Sequence, residues 1–161
     1  MIFLTVGTEY PFDRLVKAVD ESISSVLPSE EVFAQIGPSK LRPQNLEYVK
    51  TIKKTEYDRI FRNSCAIISH AGMGTIISSI QLQKPLLVMP RLREHGEHVN
   101  DHQLKTAKRF EQLGYFFAVY EPKDVPEKLK TLHSIQLNGH INKPKYMISR
   151  IKIFLDNISS L

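Results

Sequence analysis

The first apolar run, Ile2 to Val6, is short, nearly continuous and closed by Gly7-Thr8, the pattern of a strand buried on both faces. Phe12, Leu15, Val16, Val19, Ile23 and Leu27 then recur at helical spacing, with Pro11 at the entry and Pro28 past the end. The alternation continues along the chain. Strands are expected at residues 32–36, 46–49, 66–69, 86–89 and 115–119, and helices at 56–63 (capped by Thr55), 75–82, 99–113 and 125–132. Near-continuous apolar strands alternating with helices predict an α/β fold: a single Rossmann-like domain whose mainly parallel sheet is covered by helices on both faces. Over 143–161, Met147, Ile151, Phe154, Leu155 and Ile158 share one helical face, which predicts a C-terminal amphipathic helix. Such a helix either packs back on the domain or docks on a partner or an anionic membrane.

Length and composition narrow the class. The chain has 161 residues, the size of one ordinary domain, with 42% hydrophobic and 24% charged residues, which excludes a disordered or fibrous chain. The net charge of +5 is spread along the sequence rather than gathered in a block, so no nucleic-acid footprint is expected. No apolar stretch reaches the ~18–20 residues that span a bilayer, and the first residues lack the basic region of a signal peptide. Cys65 is the single cysteine, which leaves no internal disulfide and fits a reducing compartment. Its apolar surroundings, Ser64 to Ile68, predict buried packing. The expected setting is cytoplasmic.

In a parallel sheet, ligands sit beyond the carboxyl ends of the strands, and three loops emerge there: Gly7-Thr8, Ser69 to Thr75, and 90–98. Gly72 and Gly74 remove side chains that would keep a ligand off the backbone, and the helix that follows offers free N–H groups to a phosphate, with Met73 between them and the Thr75 hydroxyl beside them. Neither the G-x-G-x-x-G fingerprint nor the P-loop is present, which argues against dinucleotides and ATP. His70, at a strand end, serves either as a structural histidine or as a group that meets a phosphate or a sugar hydroxyl. Residues 91–103 carry Arg91, Arg93, Glu94, His95, Glu97, His98, Asn100, Asp101, His102 and Gln103, a density of polar groups suited to reading sugar hydroxyls. The spacing of His95, His98 and His102 matches neither a zincin nor a closed zinc set, so no metal is expected there. Asp101 also suits the positive end of a helix.

These residues resemble a known family. Phe3-Leu4-Thr5-Val6-Gly7-Thr8 with Phe12-Asp13-Arg14-Leu15, Ser69-His70-Ala71-Gly72-Met73-Gly74, and Pro90-Arg91 with 94–103 look like the C-terminal, donor-binding half of GT-B glycosyltransferases, in the stand-alone form found in two-chain enzymes. The resemblance covers about residues 1–120. It extends to the bacterial capsule and exopolysaccharide galactosyltransferase subunits, which the 96–103 stretch favours, and to the cytosolic subunit of the eukaryotic UDP-GlcNAc transferase acting on dolichol diphosphate.

The resemblance implies donor-binding roles for Gly7, Thr8, His70, Gly72, Met73, Gly74, Thr75, Arg91, His98, Asn100, Asp101, His102 and Gln103, with His70 near the diphosphate as the candidate catalytic residue and Asp101 to Gln103 near the sugar. Relatives often carry a glutamate for the ribose hydroxyls where this chain has Ser78. The function expected is transfer of a hexose, foremost galactose, from a UDP-sugar to a lipid-linked glycan in capsule or exopolysaccharide synthesis. The UDP-sugar is a substrate, and no tightly bound cofactor is expected. One domain is half of a GT-B enzyme, so a membrane-anchored partner would hold the acceptor and recruit the chain to the inner membrane face. Two alternatives are a non-catalytic enhancer of such a partner and a UDP-GlcNAc transferase subunit.

Overall fold

The strands carry the alternation that a two-faced core needs. The computed structural model of the chain describes residues 1–134 and residue 149. Among these, six strands, β1 (Ile2–Thr5), β2 (Val32–Gln35), β3 (Glu47–Val49), β4 (Ala66–His70), β5 (Leu86–Met89) and β6 (Phe117–Ala118), form one sheet in the order β3-β2-β1-β4-β5-β6. Every pairing is parallel. Ile2 and Leu4 of β1, Ala66 and Ile68 of β4, and Leu87 and Met89 of β5 enter the core under α1 (Asp13–Val26) and α5 (Val125–Lys130). Phe3, Ile67, Leu86 and Val88 enter the opposite core, under α2 (Lys54–Asn63), α3 (Met73–Gln81) and α4 (His102–Gln112). The α/β fold with helices on both faces is therefore as the pattern predicts. No helix among the described residues is long and apolar enough to cross a membrane.

Several boundaries differ from expectation, each for a local reason. Gly72 is the N-cap of α3, so the helix starts at Met73 and the glycine loop is its first turn. The α4 helix starts at His102 rather than 99, because Val99 is 65% exposed and contributes nothing to the apolar face. Thr55 lies inside α2, which begins at Lys54 without a side-chain cap. Cys65 is exposed rather than buried: it precedes β4 at the amino end of the strands, and the buried run begins only at Ala66. The amphipathic segment 143–161 lies outside the described residues apart from Ser149.

Two contacts in this frame matter for the site. Phe3, on the α2 side of β1, meets the Tyr57 ring edge-on at 5.4 Å and the Phe61 ring at 6.4 Å, which fixes α2 against the central strand. The connection from β2 to β3 is tied to α1 by Asp20, a buried carboxylate that accepts hydrogen bonds from the backbone N–H groups of Gln44 (3.0 Å) and Asn45 (2.7 Å). Asp20→Ala strands both amides and should cost about 1–3 kcal/mol. Urea unfolding measures the loss, and hydrogen exchange should accelerate first at Gln44 and Asn45; unchanged exchange at those amides would refute the tether.

Candidate functional site

β1 and β4 are neighbours, but the chain leaves them toward opposite sides of the sheet: β1 leads through α1 to β2, and β4 leads through α3 to β5. The loops beyond their carboxyl ends diverge, and a crevice opens between them. Gly7 stands on one wall, at φ +77°, a left-handed conformation that a side chain would strain. Gln35 holds it from below: its Oε1 accepts from Gly7 N (3.2 Å) and from the Thr5 hydroxyl (2.8 Å), while its Nε2 donates to Gly7 O (2.7 Å) and Lys50 O (3.0 Å). Gln35 and Thr5 are buried, and both ends of the Gln35 amide are satisfied.

The other wall is the start of α3, which has no side-chain cap. The N–H groups of Met73, Gly74 and Thr75 have no acceptor within the helix, because the intrahelical ladder opens with Ile76 N to Gly72 O. A Cβ on Gly74 would meet nothing within 4 Å, so the missing side chain serves no internal packing and leaves the backbone open to solvent. This is a positive helix end facing a crevice, suited to an anion.

His70 lies between the two walls. A Cβ on Gly72 would run into its ring, and one on Gly7 would come within 3.4 Å of Cε1. Ser69 donates its hydroxyl hydrogen to Thr5 O (2.7 Å), so in the contact of 3.3 Å between Ser69 Oγ and His70 Nδ1 the imidazole nitrogen is the donor. That assignment leaves Nε2 as an acceptor, facing Gly72. Burial and the Arg91 charge hold its pKa down to about 4. His70 is neutral at pH 7 and supplies no charge to a phosphate; it offers a hydrogen-bonding atom.

Arg91 is itself buried. Its Nη2 donates to Val6 O and Tyr10 O, both at 2.6 Å, spanning the loop that contains Gly7 and Thr8. Burial lowers its pKa to about 10, with Glu97 opposing that shift, so it remains a cation at neutral pH. Gln103, also buried, accepts from Arg91 N at 3.2 Å. The sequence places Arg91 and Gln103 among donor-binding residues; the fold puts both beneath the crevice as posts. Beside them Arg14 makes a two-pronged pair with Glu97, both contacts at 2.9 Å, and donates to Pro90 O (2.9 Å) and Tyr120 O (3.0 Å). Breaking such a buried pair costs about 3–5 kcal/mol, so it locks the 91–97 loop onto α1.

His98, Asn100, Asp101 and His102 form a separate cluster on the loop entering α4. The His98 ring lies 5.3 Å from Tyr10 and 4.6 Å, edge-on, from His102. Asn100 Oδ1 accepts from His102 N at 3.1 Å, and Asp101 turns back to accept from Arg93 N at 2.8 Å rather than capping α4. Burial, then the nearby His98, hold the His102 pKa below its ordinary value.

Two cavities flank the glycine walls. One, about 260 Å³, is lined by Thr5, Gly7, Thr8, Ile52 and Thr75 among others; the second, about 440 Å³, includes Asp58, Arg62, Gly74 and Ser78. Lys54, Tyr57 and Thr75 belong to both, so they form one groove, within the ~300–1,000 Å³ usual for ligand sites. Five α2 residues, Lys54, Tyr57, Asp58, Phe61 and Arg62, thus line the groove although no motif marks them. The clue in the sequence is indirect: Tyr57 shares the apolar spacing of α2 with Ile60 and Phe61.

The depressed His70 pKa has a consequence for stability. The unfolded chain binds a proton below about pH 6.5 that the native state refuses until about pH 4, so this contribution is complete above pH 6.5 and lost as pH falls through 4. It amounts to a loss on the order of 3 kcal/mol. Denaturant unfolding between pH 7 and 4 should show it, and His70→Gln should remove that part of the slope; an identical slope in the variant would contradict the assignment.

Comparison with known proteins identifies the family and the fold. Residues 1–154 match the family described as glycosyltransferase family 28 C-terminal domain. A UDP-N-acetylglucosamine transferase subunit ALG13 from Eremothecium gossypii is 33% identical over 79 residues, 48% of this chain and 37% of the relative. The Homo sapiens subunit of that name is 28% identical over 125 residues, 72% of this chain and 11% of the relative. The chain thus spans well under half of these curated relatives. Among solved structures, that of ALG13 superposes with a TM-score of 0.58 at 20% identity, covering 83% of this chain and 85% of that one. MurG of Acinetobacter baumannii gives a TM-score of 0.63 at 18% identity, covering 93% and 49%. The chain belongs to the glycosyltransferase family 28 C-terminal domain family and has the fold of the C-terminal half of a GT-B glycosyltransferase.

Proposed function

We propose that the chain is the donor-binding half of a UDP-N-acetylglucosamine transferase, completed by a separate membrane-anchored polypeptide that holds the acceptor. The observation that carries this reading is the groove between Gly7-Thr8, α2 and the uncapped start of α3. The diphosphate lies at the junction of the two cavities, on the N–H groups of Met73 to Thr75 and beside Gly7 and Thr8. The nucleoside runs along α2 and α3, past Tyr57. Among the described residues Asp58 is the one carboxylate lining the groove, and with Ser78 it takes the ribose hydroxyls, in place of an acid on α3. His98, Asn100 and His102 face the sugar, while Arg91 and Gln103 position the loops.

In the reaction the acceptor oxygen bonds to the anomeric carbon of the sugar as the bond from that carbon to the β-phosphate oxygen breaks. UDP leaves with the electron pair, and the acceptor proton passes to a base or to solvent. The chain's part is to stabilise the growing charge on the departing diphosphate with N–H groups already in place. Recruitment to the cytoplasmic membrane face follows from the partner. The names of the relatives favour N-acetylglucosamine over galactose, although the 96–103 stretch resembles the polysaccharide subunits.

Calorimetric titration tests the reading. UDP-GlcNAc should bind saturably and more tightly than UDP-galactose, and Gly74→Leu should weaken binding at least about tenfold, the equivalent of 1.4 kcal/mol. Its melting temperature should stay near wild type, because the side chain enters open space. Tighter UDP-galactose binding would restore the galactosyltransferase reading. Absence of binding, alone and with the partner, would instead make the chain an enhancer.

A further inference from the structure

The loops before the strands, at the end of the parallel sheet opposite the crevice, bring together three side chains that the glycosyl-transfer site does not use. Glu30 precedes β2, Cys65 precedes β4, and His133 lies in the short turn Leu132–Ser134 after α5. One ligand atom from each lies within 4.8 Å of the other two. Nε2 of His133 is already 3.0 Å from Glu30 Oε1, and Cys65 Sγ is 3.1 Å from Met1 O, to which the thiol donates.

We propose that Glu30, Cys65 and His133 form a zinc(II) site. The donor set is one thiolate sulfur, one imidazole nitrogen and one carboxylate oxygen, a mixture that suits a borderline-soft ion; calcium and magnesium take oxygen ligands. Zinc bonds of about 2.0–2.3 Å in a tetrahedron place ligand atoms roughly 3.3–3.6 Å apart. The Glu30–His133 edge, at 3.0 Å, lies just under that spacing, and the thiol edges, within 4.8 Å, close by side-chain rotation.

The backbones that carry the three groups are anchored. Ile2 N donates to Glu31 O at 2.8 Å beside Glu30, Cys65 N donates to Met1 O at 3.0 Å, and the fully buried Leu132 seats the turn that carries His133. The side chains themselves are partly or fully exposed, so an ion reaches them from solvent. On binding, the Cys65 thiol gives its proton to water and its sulfur bonds to zinc; water fills the fourth position. The ion then ties the turn after α5 to the amino ends of β2 and β4, at the end of the sheet opposite the donor groove.

The test uses the full chain under reducing conditions, with zinc competed against a chromophoric chelator and cobalt(II) as a spectroscopic substitute. One zinc per chain should bind, cobalt should show a thiolate-to-metal charge-transfer band, and zinc should raise the melting temperature reversibly on chelation. Cys65→Ser, His133→Ala and Glu30→Gln should each weaken binding by about tenfold or more, and Cys65→Ser should abolish the band. Cobalt binding without the band, or zinc affinity unchanged in a Cys65→Ser/His133→Ala double variant that still melts cooperatively, would overturn the proposal. The latter result would locate any bound ion elsewhere, for instance at His95, His98 and His102.

Discussion

The buried guanidinium of Arg91 is the constraint on which the crevice depends. Taking a cation out of water is costly, and here carbonyls on both sides of one loop, Val6 O and Tyr10 O, offset part of that cost through Nη2, while Nε is buried without a partner among the described residues. The loop after the central strand is thereby held to the end of β5. The same charge, after burial itself, keeps His70 neutral. Gln103 braces Arg91 from α4, Gln35 braces Gly7 from β2, and the Arg14–Glu97 pair closes the loop beyond. Three of the polar residues that look available for ligand in the sequence, Arg91, Glu97 and Gln103, are therefore spent on shaping the walls. Between those walls the first turn of α3 and the Gly7-Thr8 loop present backbone to a ligand.

This division explains why some of the chain was readable in advance and some was not. Strands such as Ile2 to Leu4 and Ala66 to Ile68 bury both faces, and their unbroken apolar runs say so directly. Their parallel pairing followed from the alternation with helices. Residues whose role depends on contacts across the sheet carried no such signal. Gln35 is the polar position within the strand expected at 32–36, yet its amide closes the floor of the site from thirty positions away from Thr5. Arg91 and Gln103 look like surface groups until the fold buries them. Val99 has the spacing of an apolar helix position, but the preceding loop, fastened by Asp101 to Arg93 N, delays the helix to His102. Cys65 misled in the other direction, since its neighbours in sequence are buried and it is not.

The family and the fold stand on the match over residues 1–154 and on superposition with GT-B structures. The choice of sugar is finer than either. A fold of this kind places a diphosphate at a helix end without regard to the hexose beyond it, because the backbone N–H groups read only the anion. On the proposed reading, discrimination falls to the 98–102 loop and to the chain that holds the acceptor. The groove has its carboxylate on α2, where Asp58 pairs with Lys54, rather than on α3, where Ser78 stands.

The most direct measurement is the map of backbone amide shifts on adding UDP-GlcNAc to the isotopically labelled chain. The largest changes should fall at Gly7, Thr8, Met73, Gly74 and Thr75, with a second group at Tyr57 and Asp58. Changes concentrated on the α1 and α5 face, or confined to 93–102 with the start of α3 undisturbed, would contradict a donor site built on the open end of that helix.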